Sequence, residues 1–150
     1  MRVLLQRVTS GSVFVDHKIV GSIDYGLVLF VGIGQGDTEA EANRLADKIV
    51  HLRIFRDVDG KFNRSLLDVD GGVLVISQFT LYADASKGRR PNFTQAARPE
   101  QASPLCNYFT KRLGILGIGT VETGIFGASM EVTLCNQGPV TIWLDSDEIG

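Results

Sequence analysis

The chain has 150 residues, 44% of them hydrophobic, which is enough for one compact domain with a proper core. Its formal charge of −2 carries no global basic signature for nucleic acid, although a local basic patch is compatible with that sum. Its two cysteines, Cys106 and Cys135, form no CxxC motif, so neither a disulfide framework nor a zinc site is expected and a reducing cytoplasm suits the chain.

In chain order, Arg2 to Val8 reads as a first strand. It has one short apolar run before Arg7, so the N-terminal stretch is not read as a signal peptide. "SVFVDHKIVGSI" follows as a hairpin turning at Asp16-His17-Lys18. "GLVLFVGIG", from Gly26 to Gly34, is apolar at consecutive positions and reads as a strand buried on both faces. Thr38 and Glu41 then form a capping box. Ala42, Leu45, Ala46, Ile49 and Val50 fall on one stripe of the amphipathic helix it starts. "LRIFRDVDGKFNRSLLDVDGG" reads as a strand, a turn at Asp59-Gly60 and a connection, and "VLVISQFTLYAD" as another buried strand. A polar, proline-broken loop, "ASKGRRPNFTQAARPEQ", leads to a second helix over "PLCNYFTKRLGILGI", with Pro104 in its first turn. "SMEVTLCNQ" and "VTIWLD" close the chain as two strands. No stretch is long and apolar enough for a transmembrane helix. The order predicts a single α+β domain over residues 1–150, with a curled, barrel-like, mainly antiparallel or mixed sheet and two main helices.

Chemistry-bearing motifs are sparse. "VGIGQG", Val31 to Gly36, lacks both GxGxxG spacing and a Gly-Lys-Ser/Thr, so it reads as a strand-to-helix turn rather than a phosphate loop. "DVDGKFNRSLLD" has its glycine at the wrong place for a calcium loop and no closing glutamate. His17 falls in a turn and His51 at a helix end, and no carboxylate cluster has metal-ligand spacing. Three stretches remain. In "SQFTLYAD", strand alternation turns Gln78 and Thr80 to the side of Leu74 and Ile76, and Ser77 and Phe79 to the other. Either a buried strand emerges there into solvent, or Gln78 and Thr80 line a pocket mouth. "KGRRPNF" gathers Lys87, Arg89, Arg90 and Phe93, as a solvated loop or as a phosphate-contacting loop with a stacking ring. In "NQGPVTIWL", Gly138-Pro139 either makes a hairpin turn or shapes backbone for a site, because proline cannot donate to a sheet ladder.

"SQFTL" (Ser77 to Leu81), "GRRPNF" (Gly88 to Phe93) and "NQGPVT" (Asn136 to Thr141), in this order and within a matching overall length, resemble the D-aminoacyl-tRNA deacylases. The resemblance runs from "RVLLQRV" to "GPVTIWLD". It implies a homodimer of a barrel-like α+β type that hydrolyses the ester between a D-amino acid and the 3′-terminal adenosine of tRNA, with no metal or organic cofactor and no membrane association. It implies that Gly138-Pro139 is cis and projects from one subunit into the pocket of the other. Gln78, Phe79 and Thr80 would be the catalytic set: backbone N–H groups near Phe79 and Thr80 hold the oxyanion, while Gln78 and the Thr80 hydroxyl orient the substrate. Ser77, Asn136, Gly138, Pro139, Lys87, Arg89, Arg90 and Phe93 would bind the substrate and its acceptor end. An activated ester needs little more than positioned water and backbone donors, which agrees with the thin catalytic inventory. Two rival readings are a non-catalytic RNA-binding dimer, which the basic loop alone would fit, and an esterase acting on small substrates.

Overall fold

The computed structural model describes all residues, 1–150. Ten regular elements and one short 3-10 turn follow one another: β1 (Arg2–Val15), β2 (Lys18–Ile23), β3 (Gly26–Gly32), α1 (Glu39–His51), β4 (Phe55–Arg56), β5 (Phe62–Arg64), β6 (Gly72–Ser77), the 3-10 turn Phe79–Tyr82, α2 (Pro99–Ile115), β7 (Val121–Thr123) and β8 (Glu131–Asp145). The expected α+β domain is what forms, with two helices on a curled, mixed sheet.

β1 organises the sheet. Asp16 and His17, both at positive φ, turn it tightly into β2. β2 pairs antiparallel with Gly11–Val15 of β1 and β3 with Arg2–Val8, so the two line one edge of β1 in succession. β8 takes the other edge along nearly its whole length. β6 joins β3 in parallel and β7 joins β6 in parallel, which brings β7 back towards β2 and almost closes the sheet. α1 and α2 pack together on one face, over a core of 25 buried residues. A second cluster of Val8, Val13, Ile23, Val28, Leu74 and Ile76 fills the inside of the curl.

β3 is buried along almost its entire length, as its unbroken apolar run predicts. α1 begins with the expected capping box: Thr38 Oγ accepts from the Ala40 N–H, and Glu41 accepts from the Thr38 N–H at 2.7 Å. All five stripe residues of α1 are buried. The Asp59-Gly60 turn also forms, between β4 and β5.

Three expectations are corrected. β1 is one strand to Val15, because β8 pairs with it again from Ser10 to Phe14 beyond the register shifts at Val8. α2 starts at Pro99, not Pro104. Pro99 already fills the first helical position, where its missing N–H costs nothing, and the Arg98 carbonyl accepts from Gln101 and Ala102. Pro104 thus lies inside the helix, on its exposed side, where the carbonyl of exposed Glu100 is open to water. The third correction concerns the end of the chain. The expected two strands are one, β8, and Gly138-Pro139 makes no hairpin. Thr141 pairs with Gln6 and Asn136 with Val8, so residues 137–140 bulge out opposite Arg7 alone.

Candidate active site

The carboxyl ends of the parallel strands β3 and β6 open into a large cavity of about 960 Å³. Val31, Ile33, Ile76 and Ser77 form its strand-end floor, and the start of α2 from Arg98 to Ala102 forms one wall. Phe126, Met130 and Val132 close the side nearest β8. Such strand ends are where open parallel sheets carry their ligands.

The "SQFTL" stretch does not continue as a strand into this cavity. β6 stops at Ser77, the Gln78 N–H makes a last ladder bond to the Val31 carbonyl at 2.7 Å, and Phe79–Tyr82 coils into the 3-10 turn. The alternation expected for residues 77–80 therefore fails. The cause lies in β3 and the loop after it. A Cβ on Gly32 would stand 3.0 Å from Leu81 Cβ and 3.1 Å from the Gln78 carbonyl, and one on Gly34 would stand 2.8 Å from the Tyr82 hydroxyl. The glycines of "VGIGQG" thus seat the 3-10 turn against the sheet. "VGIGQG" itself is the expected tight turn, with the Gly34 carbonyl accepting from the Asp37 N–H.

Coiling has a chemical consequence. The first N–H groups of a helical turn have no acceptor within it. Phe79 and Thr80 occupy those positions; Phe79 lines the cavity, while Thr80 is exposed just outside its lining. Gln78 Nε2 donates to Thr80 Oγ, so the two side chains form one unit. The far end of the turn is tied down: Arg2 Nη1 donates to the Leu81 carbonyl and Nε to Asp145, both at 3.0 Å, while its guanidinium lies 4.3 Å from the centre of the Tyr82 ring. Burial, and then the nearby Asp37 carboxylate, raise the Tyr82 phenol well above its ordinary value, so it stays protonated as a packing group.

Sequence spacing gave no sign that "SQFTL" and "KGRRPNF" would meet, but they do. Asp84 and Asn92 exchange backbone hydrogen bonds of 2.8 and 3.0 Å and close residues 85–91 as a loop. Phe93 then lies edge-on against Phe79, ring centres 5.0 Å apart, and both rings line the cavity. Ser77 and Gln78 line it as well. Lys87, Arg89 and Arg90 stay out on the exposed loop, and none of them belongs to an ion pair.

Within one chain the third motif lies elsewhere. None of Asn136, Gly138 and Pro139 lines the large cavity. Gly138 borders a separate hollow of about 340 Å³ with Arg7, Tyr25, Arg56 and Gln137. The Gly138-Pro139 peptide is cis, and residues 137–139 are exposed. Asn136 closes the neck of the bulge: its Oδ1 accepts from the Val140 N–H and its Nδ2 donates to Thr141 Oγ, both at 2.9 Å. Arg7, which sequence reasoning did not select, holds the bulge from behind through Nε to the Gln137 carbonyl. The signal was present. Val3, Leu5 and Arg7 alternate on the core side of β1, and an arginine at such a position calls for a reason.

No histidine lines the large cavity, and His17 and His51 are exposed elsewhere. Cys106 does line it, but burial pushes its thiol up to about 11, so it is protonated and a poor nucleophile near neutrality. The cavity offers Gln78, tied to Thr80 beside it, and an aromatic wall rather than a nucleophile with its base.

A family model described as D-Tyr-tRNA(Tyr) deacylase matches residues 4–145. The chain belongs to the D-aminoacyl-tRNA deacylase family. It is 60% identical to the D-aminoacyl-tRNA deacylase of Thermomicrobium roseum over 99% of this chain and 96% of that one. Against the protein of the same name from Bacillus pumilus it is 57% identical, over 99% of this chain and all (100%) of that one. Among solved structures, that of a c-Myc DNA unwinding element binding protein is similar with a TM-score of 0.91 and 37% identity, covering 97% of this chain and 98% of that one. The fold also matches a probable eukaryotic D-amino acid tRNA deacylase, TM-score 0.80 at 18% identity, over 95% of this chain and 97% of that one. No helix of this deacylase-family chain is long and apolar enough to cross a membrane.

Proposed function

We propose that this chain hydrolyses the ester of D-aminoacyl-tRNA, releasing free tRNA and a D-amino acid, and that it works as a homodimer with two composite sites. The observation that carries the reading is the 3-10 turn that starts at Phe79, whose ring lines the cavity with Phe93 and whose leading N–H groups, of Phe79 and Thr80, have no acceptor within the turn. The acylated 3′-terminal adenosine enters the large cavity. The two N–H groups take the ester carbonyl oxygen and hold the negative charge that develops on it when water attacks. Gln78 and Thr80 orient the substrate. The terminal ribose hydroxyl of the RNA assists the water, as the family resemblance implies. Lys87, Arg89 and Arg90 take acceptor-end phosphates.

Stereochemical choice falls to residues 137–139 of the second copy. Two observations favour this division: the bulge is exposed, and it lies outside its own chain's large cavity. Backbone carbonyls of the bulge accept from the substrate ammonium and leave no space for an L side chain. Exclusion of that kind does not act on an achiral residue, so glycyl-tRNA is also a substrate.

Two measurements test the reading. D-tyrosyl-tRNA and glycyl-tRNA should be hydrolysed at matched concentration, and L-alanyl-tRNA refused. Hydrolysis of the L-alanyl ester at the glycyl rate would sink the exclusion mechanism. In the second, a Gln78→Ala/Thr80→Ala copy is co-expressed with a Gly138→Ala copy and the mixed dimer purified. A composite site predicts regained activity, since one of its two sites then unites intact Gln78 and Thr80 with an intact bulge. A mixed dimer no more active than either parent would place the whole site in one chain.

A further inference from the structure

The smaller hollow beside the bulge has a use that the ester chemistry does not absorb. Its floor is Arg7, 1% exposed and among the largest fully buried side chains. Arg7 Nη1 donates to the Ile54 carbonyl at 2.7 Å and Nε to the Gln137 carbonyl at 3.3 Å, while the Phe62 ring lies 5.3 Å away. No carboxylate comes within ion-pair distance of it. A buried charge ordinarily has a counter-charge, and two carbonyl dipoles are only part of one. The third nitrogen, Nη2, lies on the Gly138 side, 3.1 Å from where a Cβ of that residue would be.

The rest of the hollow compounds the imbalance. The β4–β5 hairpin sets Arg56 directly across from Phe62, and Arg56 lines the same hollow as Arg7, so two arginines share it. Arg56 is exposed and has no hydrogen-bonding or ionic partner among the side chains around it. Tyr25 completes the wall, its ring edge-on to Phe55 at 5.4 Å, and its hydroxyl is a free donor. No acid lines the hollow. Asp57, next to Arg56 in the chain, is spent on the N–H groups of Asp59 and Lys61 in its own turn.

We infer that the hollow lined by Arg7, Tyr25 and Arg56 is an anion site that takes a backbone phosphate of the RNA near its 3′ end. Two guanidiniums and a phenol supply donors only, and the fork of an arginine fits phosphate oxygens bidentately. The choice of a phosphodiester rests on the aminoacyl-tRNA reading above. If the bulge of one copy closes over the acyl group bound by the other, the strand leading to that adenosine leaves past the same bulge, and Gly138 borders the hollow.

Binding, rather than turnover, reads this claim. Uncharged tRNA is titrated against the full chain and its Arg56→Gln variant over a range of salt. Removing the exposed arginine should weaken tRNA about tenfold near 0.1 M salt and flatten the slope of log K against log salt by about 0.7, the value for one single-strand phosphate. Arg56→Lys should restore part of both, since a point charge lacks the fork. As a second arm, the preference in kcat/KM for D-tyrosyl-tRNA over the D-tyrosyl ester of adenosine, which has no phosphate, should drop about tenfold in Arg56→Gln. An unchanged salt slope overturns the proposal. So does an equal loss on both esters, which would make Arg56 a prop for the fold. Weakened dimer association with unaltered tRNA affinity would also overturn it and give the hollow to a carboxylate of the second copy. A normal Arg56-dependent slope in a protein that leaves D-tyrosyl-tRNA intact would retain the phosphate site and remove the hydrolase reading instead.

Discussion

Gly138→Ala is the most informative single change, because its cost can be worked from the backbone. Gly138 has φ of +125°, a region that L side chains rarely occupy. An added Cβ would stand 2.9 Å from Val140 Cγ2, 3.1 Å from Arg7 Nη2 and 3.2 Å from the Val140 nitrogen. Val140 and Arg7 are both buried, so neither has room to withdraw. The unfavourable φ alone costs about 1–2 kcal/mol, and the crowding raises the total to about 2–3 kcal/mol. For a chain of this size that is a fall in Tm of roughly 4–12 °C. A domain with an ordinary stability of about 5–15 kcal/mol stays folded at 25 °C after such a loss. Activity measured there therefore reports on the position of the bulge and not on unfolding. Deacylation of D-tyrosyl-tRNA should drop about a hundredfold, the scale of a displacement near one ångström at a reacting centre. Glycyl-tRNA should be lost with it, and no activity on L-aminoacyl-tRNA should appear. A variant with an unchanged Tm would refute the backbone argument. A destabilised variant with full activity would remove the bulge from the site.

Three further outcomes are expected. Gln78→Ala and Thr80→Ala should each lower kcat/KM on D-tyrosyl-tRNA by about 10- to 100-fold with Tm unchanged, far short of the roughly million-fold loss of a true nucleophile, and an acyl-threonine trapped by acid quench would contradict the orienting role. Thr38→Ala should destabilise the chain by about 1 kcal/mol in denaturant unfolding. The Thr38 hydroxyl is the main cause holding the Glu41 carboxyl below its ordinary value. A folded-state value below the unfolded one adds stability above the unfolded value, about 4.3, that is lost as pH falls through the folded value, so the gap between wild type and variant should narrow below about pH 4. Iodoacetamide at about pH 8 should label exposed Cys135 and spare buried Cys106, whose thiol lies near 11; two adducts by mass spectrometry would show that the wall of the large cavity opens.

What could be read from the sequence was local. The α1 cap and stripe, the run of β3 and the turn at Asp16-His17 each depend on residues within a few positions, and each forms as expected. What could not be read depends on partners far along the chain. Pro139 reads as the end of a strand until β1 is seen holding both flanks of the bulge. "SQFTLYAD" reads as strand until Gly32 and Gly34 are seen making space for a coil. The site shows the same division. Its three motifs are visible as stretches, but the contact of Phe79 with Phe93, the separation of Gly138 from both, and the role of buried Arg7 are products of the fold.

That separation bears on how one small domain could combine weak chemistry with strict stereochemical choice. On the proposed reading, the turn bearing Phe79 and Thr80 offers donors to any ester carbonyl and has no means of testing the hand of the α-carbon. A pocket selecting by attraction gains only about 1–3 kcal/mol from one methyl group, too little for strict refusal. Refusal needs a surface that does not yield, and the bulge is built as one. Asn136 cross-ties its neck to Val140 and Thr141, Arg7 grips the Gln137 carbonyl from the core, and β1 fixes both flanks. On the proposed reading, glycine at 138 leaves out a Cβ that would keep a substrate from the backbone carbonyls. In its own chain this wall does not line the large cavity, so on the proposed reading it guards the cavity of a second copy. Dissociation would then abolish selectivity and productive binding together, and a lone chain would not become a promiscuous esterase.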